Sequence, residues 1–252
     1  MERFRAFLRR KNIVFSAKRY GVDALGAMAQ GLFCTLLVGT ILDTLGTQFH
    51  IGFLSATVVT VGSGEAAVGY TIGGLASLMV GPAMAVAIGS ALQASPLVLF
   101  SLVPVGYATN VLGGAGGPLA VLVIAIAASE LGKAVSKETK VDIIVTPAVT
   151  VLAGCGLALA VAPWIGALAS SVGGFIMWAT ELQPLFMGVI VSVVIGIALT
   201  LPISSAAICT ALGLTGLAGG AALAGCCAQM VGFAVMSFRE NRWGGLLSQG
   251  LG

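Results

Sequence analysis

Hydrophobic positions run through this chain in long blocks with almost no polar interruption. Between Glu65 and Glu130 roughly 64 consecutive residues carry no charged side chain. At 1.5 Å per residue that is about 96 Å of helix, or about three crossings of a hydrocarbon layer about 30 Å thick. Two further uncharged runs follow, 143–180 and 182–238. A β-barrel would show short alternating segments separated by turns. These runs are continuous, so the pattern predicts an all-α, polytopic membrane helical bundle whose backbone groups are satisfied within each helix.

The polar breaks divide the runs into about eight spans: 21–46, 66–93, 95–112, 117–136, 143–163, 165–181, 184–203 and 214–238. The stretch between Asp43 and Glu65 is short and turn-rich, and reads as a hairpin that does not cross. The segment 165–181 is the weakest span, and its crossing decides the side of the last charge cluster. A candidate internal repeat, about 20–132 and 143–252, rests on an echo of phrases. GLFCTLLVG (31–39) is answered by GVIVSVVIG (188–196), and GLASLMVG (74–81) by GCCAQMVG (225–232). Many secondary transporters are built from such repeats, with the substrate site where they meet.

Composition sharpens the reading. Thirty-six glycines are far too many for soluble helices, but small residues let membrane helices approach closely. The net charge of +3 comes mostly from residues 1–19, where seven Lys or Arg stand against Glu2. Phe4, Phe7, Leu8 and Ile13 are interleaved with them, as in a basic amphipathic helix on the membrane surface. The segment lacks the apolar core of a secretory signal. A basic arm also suits nucleic acid, but the remainder is embedded, so no nucleic-acid partner is expected. Two more positive clusters, Lys133/Lys137/Lys140 and Arg239/Arg242, are expected with the N-terminus on the cytoplasmic side. Residues 20–252 are then a transmembrane transport domain in contact with membrane lipid. The five cysteines stand in apolar surroundings and are expected as small buried hydrophobes, unpaired and without metal-ligand spacing.

Few ionisable or polar groups remain inside the membrane, and such groups are expensive there. Glu65, framed by VGSG and GYTIGG, is the leading candidate for contact with a small-molecule substrate. Its bland alternative is a re-entrant loop that leaves it solvated. His50 can titrate near neutral pH, or simply mark an interface. Asp43 is either a site residue or a solvated helix end. Asn110 precedes the second glycine-rich break, GGAGG (113–117). Ser204 and Ser205 follow Pro202 after an apolar span, as in a broken helix. Gln229 is either substrate contact or interhelical glue. Neither GxxxxGK[ST] nor a strand-borne GxGxxG occurs, so ATP, dinucleotide or other cofactor binding has no support. No metal constellation is visible.

GAMAQGLFCTLLVGTILDTLG (26–46), GSGEAAVGYTIGGL (62–75), GLAGGAALAGCCAQMVGFAV (216–235) and the terminal QGLG together resemble the second type of bacterial phosphotransferase-system enzyme IIC membrane proteins. The resemblance runs along nearly the whole chain. It implies a permease-like protein of the bacterial cytoplasmic membrane, moving a sugar or related small solute, and generally dimeric. Phosphorylation would require separate IIA/IIB-type phosphocarrier proteins, since no soluble stretch is long enough to be one. The short Glu-containing signature of glucose-type members is missing. Members of the family continue beyond a QGLG-like phrase, so a shortened C-terminus is expected. A different class of function is also open: a membrane sensor or scaffold that keeps the transporter fold and binds a ligand without moving it. Transport predicts a wet polar cavity at Glu65 and Asn110, whereas a scaffold predicts those groups sealed into helix contacts.

Overall fold

A computed structural model describes residues 2–62, 67–198, 209 and 212–250. Nearly all of them are helical, as the uninterrupted apolar runs require. A basic helix α1 (Glu2–Arg10) precedes the first long helix, α2 (Arg19–Gln48). Two π-turns, Arg19–Asp23 and Phe33–Leu37, widen α2 locally. The second falls within the GLFCTLLVG phrase. A single turn α3 (Gly52–Ser55) then leads to two short strands, β1 (Val59–Val61) and β2 (Val68–Tyr70). They pair antiparallel with Val59 opposite Tyr70 and Val61 opposite Val68. The stretch between Asp43 and Glu65, expected to turn back without crossing, holds α3 and β1, whereas β2 opens the segment 66–93 expected as a span, which is helical only from Ile72.

α4 (Ile72–Leu78) and α5 (Val80–Ala91) meet at a bend of 53°, as in a broken span or a re-entrant loop. α6 (Pro96–Gly113) and α7 (Gly117–Val135) follow, joined by a glycine turn in which Gly114 has φ 51°. Pro96 and Pro118 stand in the first turns of these helices, where a missing N–H costs nothing. α8 (Asp142–Leu182) is 41 residues long. The candidate spans 143–163 and 165–181 are thus continuous with one another. Trp164, Ile165 and Gly166 offer no polar turn chemistry between them, and Pro147 and Pro163 are accommodated inside the helix. α9 (Pro184–Ala198), α10 (Gly216–Met236) and α11 (Phe238–Gly250, broken at Arg242) complete the described chain. Among the described residues five helices are long and apolar enough to cross a membrane, or six with the bent pair, and α9 is a shorter apolar helix.

The chain divides into two compact units, Met1–Gly166 and Ala167–Gly252. In the first, glycines set the helix crossings. A Cβ on Gly31 would lie 2.7 Å from the Ala83 carbonyl oxygen, and one on Gly81 would lie 2.4 Å from that of Gly106. Such approaches supply the van der Waals contact that lipid cannot drive. Met84, Ile88, Val98, Leu102, Val121 and Ile124 fill the space between α5, α6 and α7. In the second unit Val191, Ile195 and Ala222 form a small core, with Ile176 and Cys226 half-buried against it.

The echoed phrases pack in opposite senses. Gly31 meets Ala83 while Gly39 meets Gly73, so the first pair is antiparallel. Gly188 faces Ala221, Gly225 meets the Ser192 backbone and Gly196 approaches Gln229, so α9 and α10 run parallel. The cysteines are not uniformly buried: Cys34 and Cys227 are exposed, and Cys155, Cys209 and Cys226 are half-buried. An apolar exterior can carry them at the lipid boundary as readily as a core can. All five are unpaired.

Candidate functional site

Asp43 lies one turn before the end of α2, where that helix crosses α4. Its Oδ1 accepts a hydrogen bond of 2.6 Å from the Thr71 hydroxyl. The same hydroxyl oxygen accepts from the backbone N–H of Gly74 at 2.9 Å, so Thr71 caps α4. Gly73 makes room for this arrangement. A Cβ there would stand 2.3 Å from the Gly39 carbonyl oxygen and 2.5 Å from Asp43 Oδ1. Asp43 is half-buried, and its carboxylate is held at the base of the β-hairpin by a helix cap and a glycine crossing. A carboxylate so placed can accept hydrogen bonds from a hydroxylated solute or carry a proton.

Asn110 occupies a second glycine junction. A Cβ on Gly81 would lie 2.6 Å from Asn110 Cβ, and one on Gly117 would lie 2.6 Å from Asn110 Oδ1. Asn110 is therefore half-buried where α5, α6 and α7 meet. The bent pair α4–α5 touches both sites, at Gly73 and Gly81, eight positions apart and roughly 12 Å along a helix axis. Asp43 and Asn110 thus flank the same bent element.

The other expected residues fall elsewhere. His50 is exposed just beyond α2, in a left-handed conformation with φ 51°. Gln229 lines an open cleft of about 330 Å³ between α9 and α10, with Ser192, Gly196 and Gly225. Glu65, Ser204 and Ser205 lie outside the described residues. Among the described residues no three His, Cys, Asp or Glu side chains are grouped to hold a metal ion.

A polar cluster that the hydropathy pattern hides sits at the end of α7. Lys133, one of the positive cluster at the end of the candidate span 117–136, has a side chain only 4% exposed. Its ammonium pairs with Glu130 Oε2 at 2.9 Å and donates to the carbonyl oxygens of Asn12 and Leu92, both at 3.0 Å. The Tyr20 hydroxyl donates to Glu130 Oε1 at 3.1 Å, and Arg19 donates to the Leu92 oxygen at 2.6 Å. The available signal was the i, i+3 spacing of Glu130 and Lys133 on one helical face. Above this cluster the basic arm is tied to the 133–142 loop. Glu138 Oε1 receives Arg10 at 2.5 Å and Lys11 at 2.6 Å, and Lys11 also donates to the Ser136 carbonyl oxygen. The Lys11 hydrogen bond is the main reason that the Glu138 carboxyl lies below its ordinary 4.5.

These features define a polytopic helical membrane protein, with broken helices and a carboxylate held at a glycine crossing. The chain belongs to the phosphotransferase system EIIC family, which it matches over residues 22–252. It is thus a membrane transport component of the sugar phosphotransferase type. No curated protein and no solved structure gives a significant match.

Proposed function

We propose that this chain is the solute-translocating subunit of a phosphotransferase system in a bacterial cytoplasmic membrane. Its substrate would be a sugar or related small polar solute, and phosphate would be delivered by separate IIA- and IIB-type proteins. The observation that carries the site is the Asp43–Thr71–Gly73 arrangement against the bent pair α4–α5. A discontinuous helix next to a membrane carboxylate is a common way to present polar groups to a transported solute. Glu65, in the same hairpin connection, belongs to this proposed site by sequence position. Asn110 and Gln229 are secondary candidates.

The test is the substitution Asp43→Asn. An amide oxygen still accepts the Thr71 hydroxyl, so the fold should survive while the charge is lost. In a thermal-shift screen of sugars and small acids, the wild type should be stabilised by its solute. The variant should lose that response, on the order of tenfold or more in affinity if a charged hydrogen bond goes. An equal response from both proteins removes Asp43 from the site.

One observation favours a sensor or scaffold that binds without transport: Asn110 is set into close helix contacts with Gly81 and Gly117. Uptake of the stabilising solute into proteoliposomes, alone and with phosphocarrier proteins, separates the readings. Binding with no uptake in either condition would select the scaffold.

A further inference from the structure

Three helix C-termini converge where the basic arm meets the bundle: α1 at Arg10, α5 at Ala91 and α7 at Val135. Between them lies an open cavity of about 360 Å³. Four cationic side chains line it, Arg10, Lys11, Lys133 and Lys137, against one carboxylate, Glu138. The chain turns around this cavity at three non-glycine residues in left-handed conformation, Asn12 (φ 54°), Gln93 (φ 55°) and Lys137 (φ 61°). Such conformations cost energy and persist where surrounding contacts impose them.

Helix C-termini attract cations, so capping is the first use to account for. It accounts for Lys133, whose ammonium pairs with the Glu130 carboxylate and donates to the Asn12 and Leu92 carbonyls. It accounts in part for Lys11, which donates to the Ser136 carbonyl oxygen and to Glu138. It does not account for Arg10 or Lys137. Among the described residues Arg10 meets the Glu138 carboxylate and the face of Phe7, and Lys137 donates its backbone N–H to Asp142, whose carboxylate also feels the Lys137 charge. Both side chains are exposed and border the cavity. Glu138 Oε1 sits between Arg10 and Lys11 as one oxygen of an anion would.

We propose that this cavity is a binding site for a phosphate-bearing anion. Phosphate oxygens take the free hydrogens of Arg10, Lys11 and Lys137, and Glu138 is the internal carboxylate with which the anion competes. The same chemistry belongs to inorganic phosphate and to the headgroup of an anionic lipid at the membrane surface.

The test uses the full chain in phosphatidylcholine nanodiscs. One arm titrates inorganic phosphate at constant ionic strength by calorimetry. The other replaces part of the lipid with phosphatidylglycerol and counts retained lipid by native mass spectrometry. Saturable binding in the first arm identifies free phosphate; retention in the second alone identifies a headgroup. In either case the double substitution Arg10→Gln, Lys137→Gln should weaken binding about thirtyfold, the order expected when two cations leave one anion. Both positions are exposed, so the variant should remain monodisperse. Glu138→Gln should tighten binding, because the competing charge is gone while Lys11 keeps its bond to Ser136. Absence of binding in both arms overturns the proposal. So does binding that the double variant leaves unchanged, or that Glu138→Gln weakens.

Discussion

The Lys133 ammonium donates to the carbonyl oxygens of Asn12 and Leu92 and pairs with the Glu130 carboxylate at 2.9 Å. Both carbonyls stand at chain turns, so one side chain ties α7 to the arm and to the end of α5. Its carboxylate partner Glu130 takes a further hydrogen bond from Tyr20. Removing one member of a buried pair leaves the other charge uncompensated, at a cost of about 3–5 kcal/mol. Lys133→Met should therefore lower the melting temperature markedly in detergent. The double variant Lys133→Met, Glu130→Gln should recover much of the loss, since the stranded carboxylate is gone. A double variant as unstable as the single one would show that the carbonyl contacts, not the charge pair, hold this end together. Asp43 differs in kind. Its Oδ1 accepts from the capping Thr71 hydroxyl, an arrangement that serves a solute as well as a helix end, which is why it and not Lys133 is proposed for the solute site.

At the scale of helices, small residues decide which faces meet. Gly81 and Gly106 place backbone against backbone, and an added Cβ on either would lie 2.4 Å from the facing carbonyl oxygen. Gly26 stands on α2 with nothing within 4 Å of its notional Cβ. Gly81→Ala must push α5 and α6 apart and should destabilise the protein. Gly26→Ala should be neutral or stabilising by up to about 1 kcal/mol, the helix propensity gained. Paired melting curves read the contrast, and equal effects at the two positions would mean that the crossing is not held by close packing. Hydropathy made the spans legible, because a bilayer imposes long apolar runs. The hairpin position was legible from Asp43, His50 and the glycines that follow. What the sequence hid depends on three-dimensional neighbours. α8 runs on through Pro163 and Gly166, residues that argue for a break, so its continuity is set by the tertiary surroundings and not by local turn chemistry. The burial of Lys133 follows from the arm folding back across α7, which local composition near a charged loop cannot reveal. The opposed crossings of the echoed phrases show that matching glycine spacing specifies a close contact without specifying its direction.

For the whole molecule, sidedness and assembly remain to be placed on the membrane. The arm and the 133–142 loop touch through Arg10, Lys11 and Glu138, so they share one side. We expect that side to be the cytoplasm, from the lysines and arginines that the arm and the loop carry. Cysteines at Ala17 and Lys140, both exposed, should be shielded from an impermeant thiol reagent in intact cells lacking the native cysteines. Labelling from outside at either position would invert the assignment. Ser136 would be a poor reporter, since it is buried against Ser95. Assembly is argued from α8. Within the first unit it exposes Leu152 and Leu159, each more than 60% accessible, on the helical face opposite the buried Thr146 and Thr150. Lipid alone can cover such a surface. A second copy is the commonest closed partner for it, because two-fold pairing needs only one self-complementary patch. The expected state is a homodimer joined through the 143–181 region, each protomer keeping its own Asp43 site. Native mass spectrometry from mild detergent should then give a dominant dimer. Leu152→Trp and Leu159→Trp, seven residues apart and so on one helical face, should shift it toward monomer without lowering the melting temperature of the protomer. A monomer that dominates while bound lipid is retained would assign this face to lipid and leave α8 outside any interface.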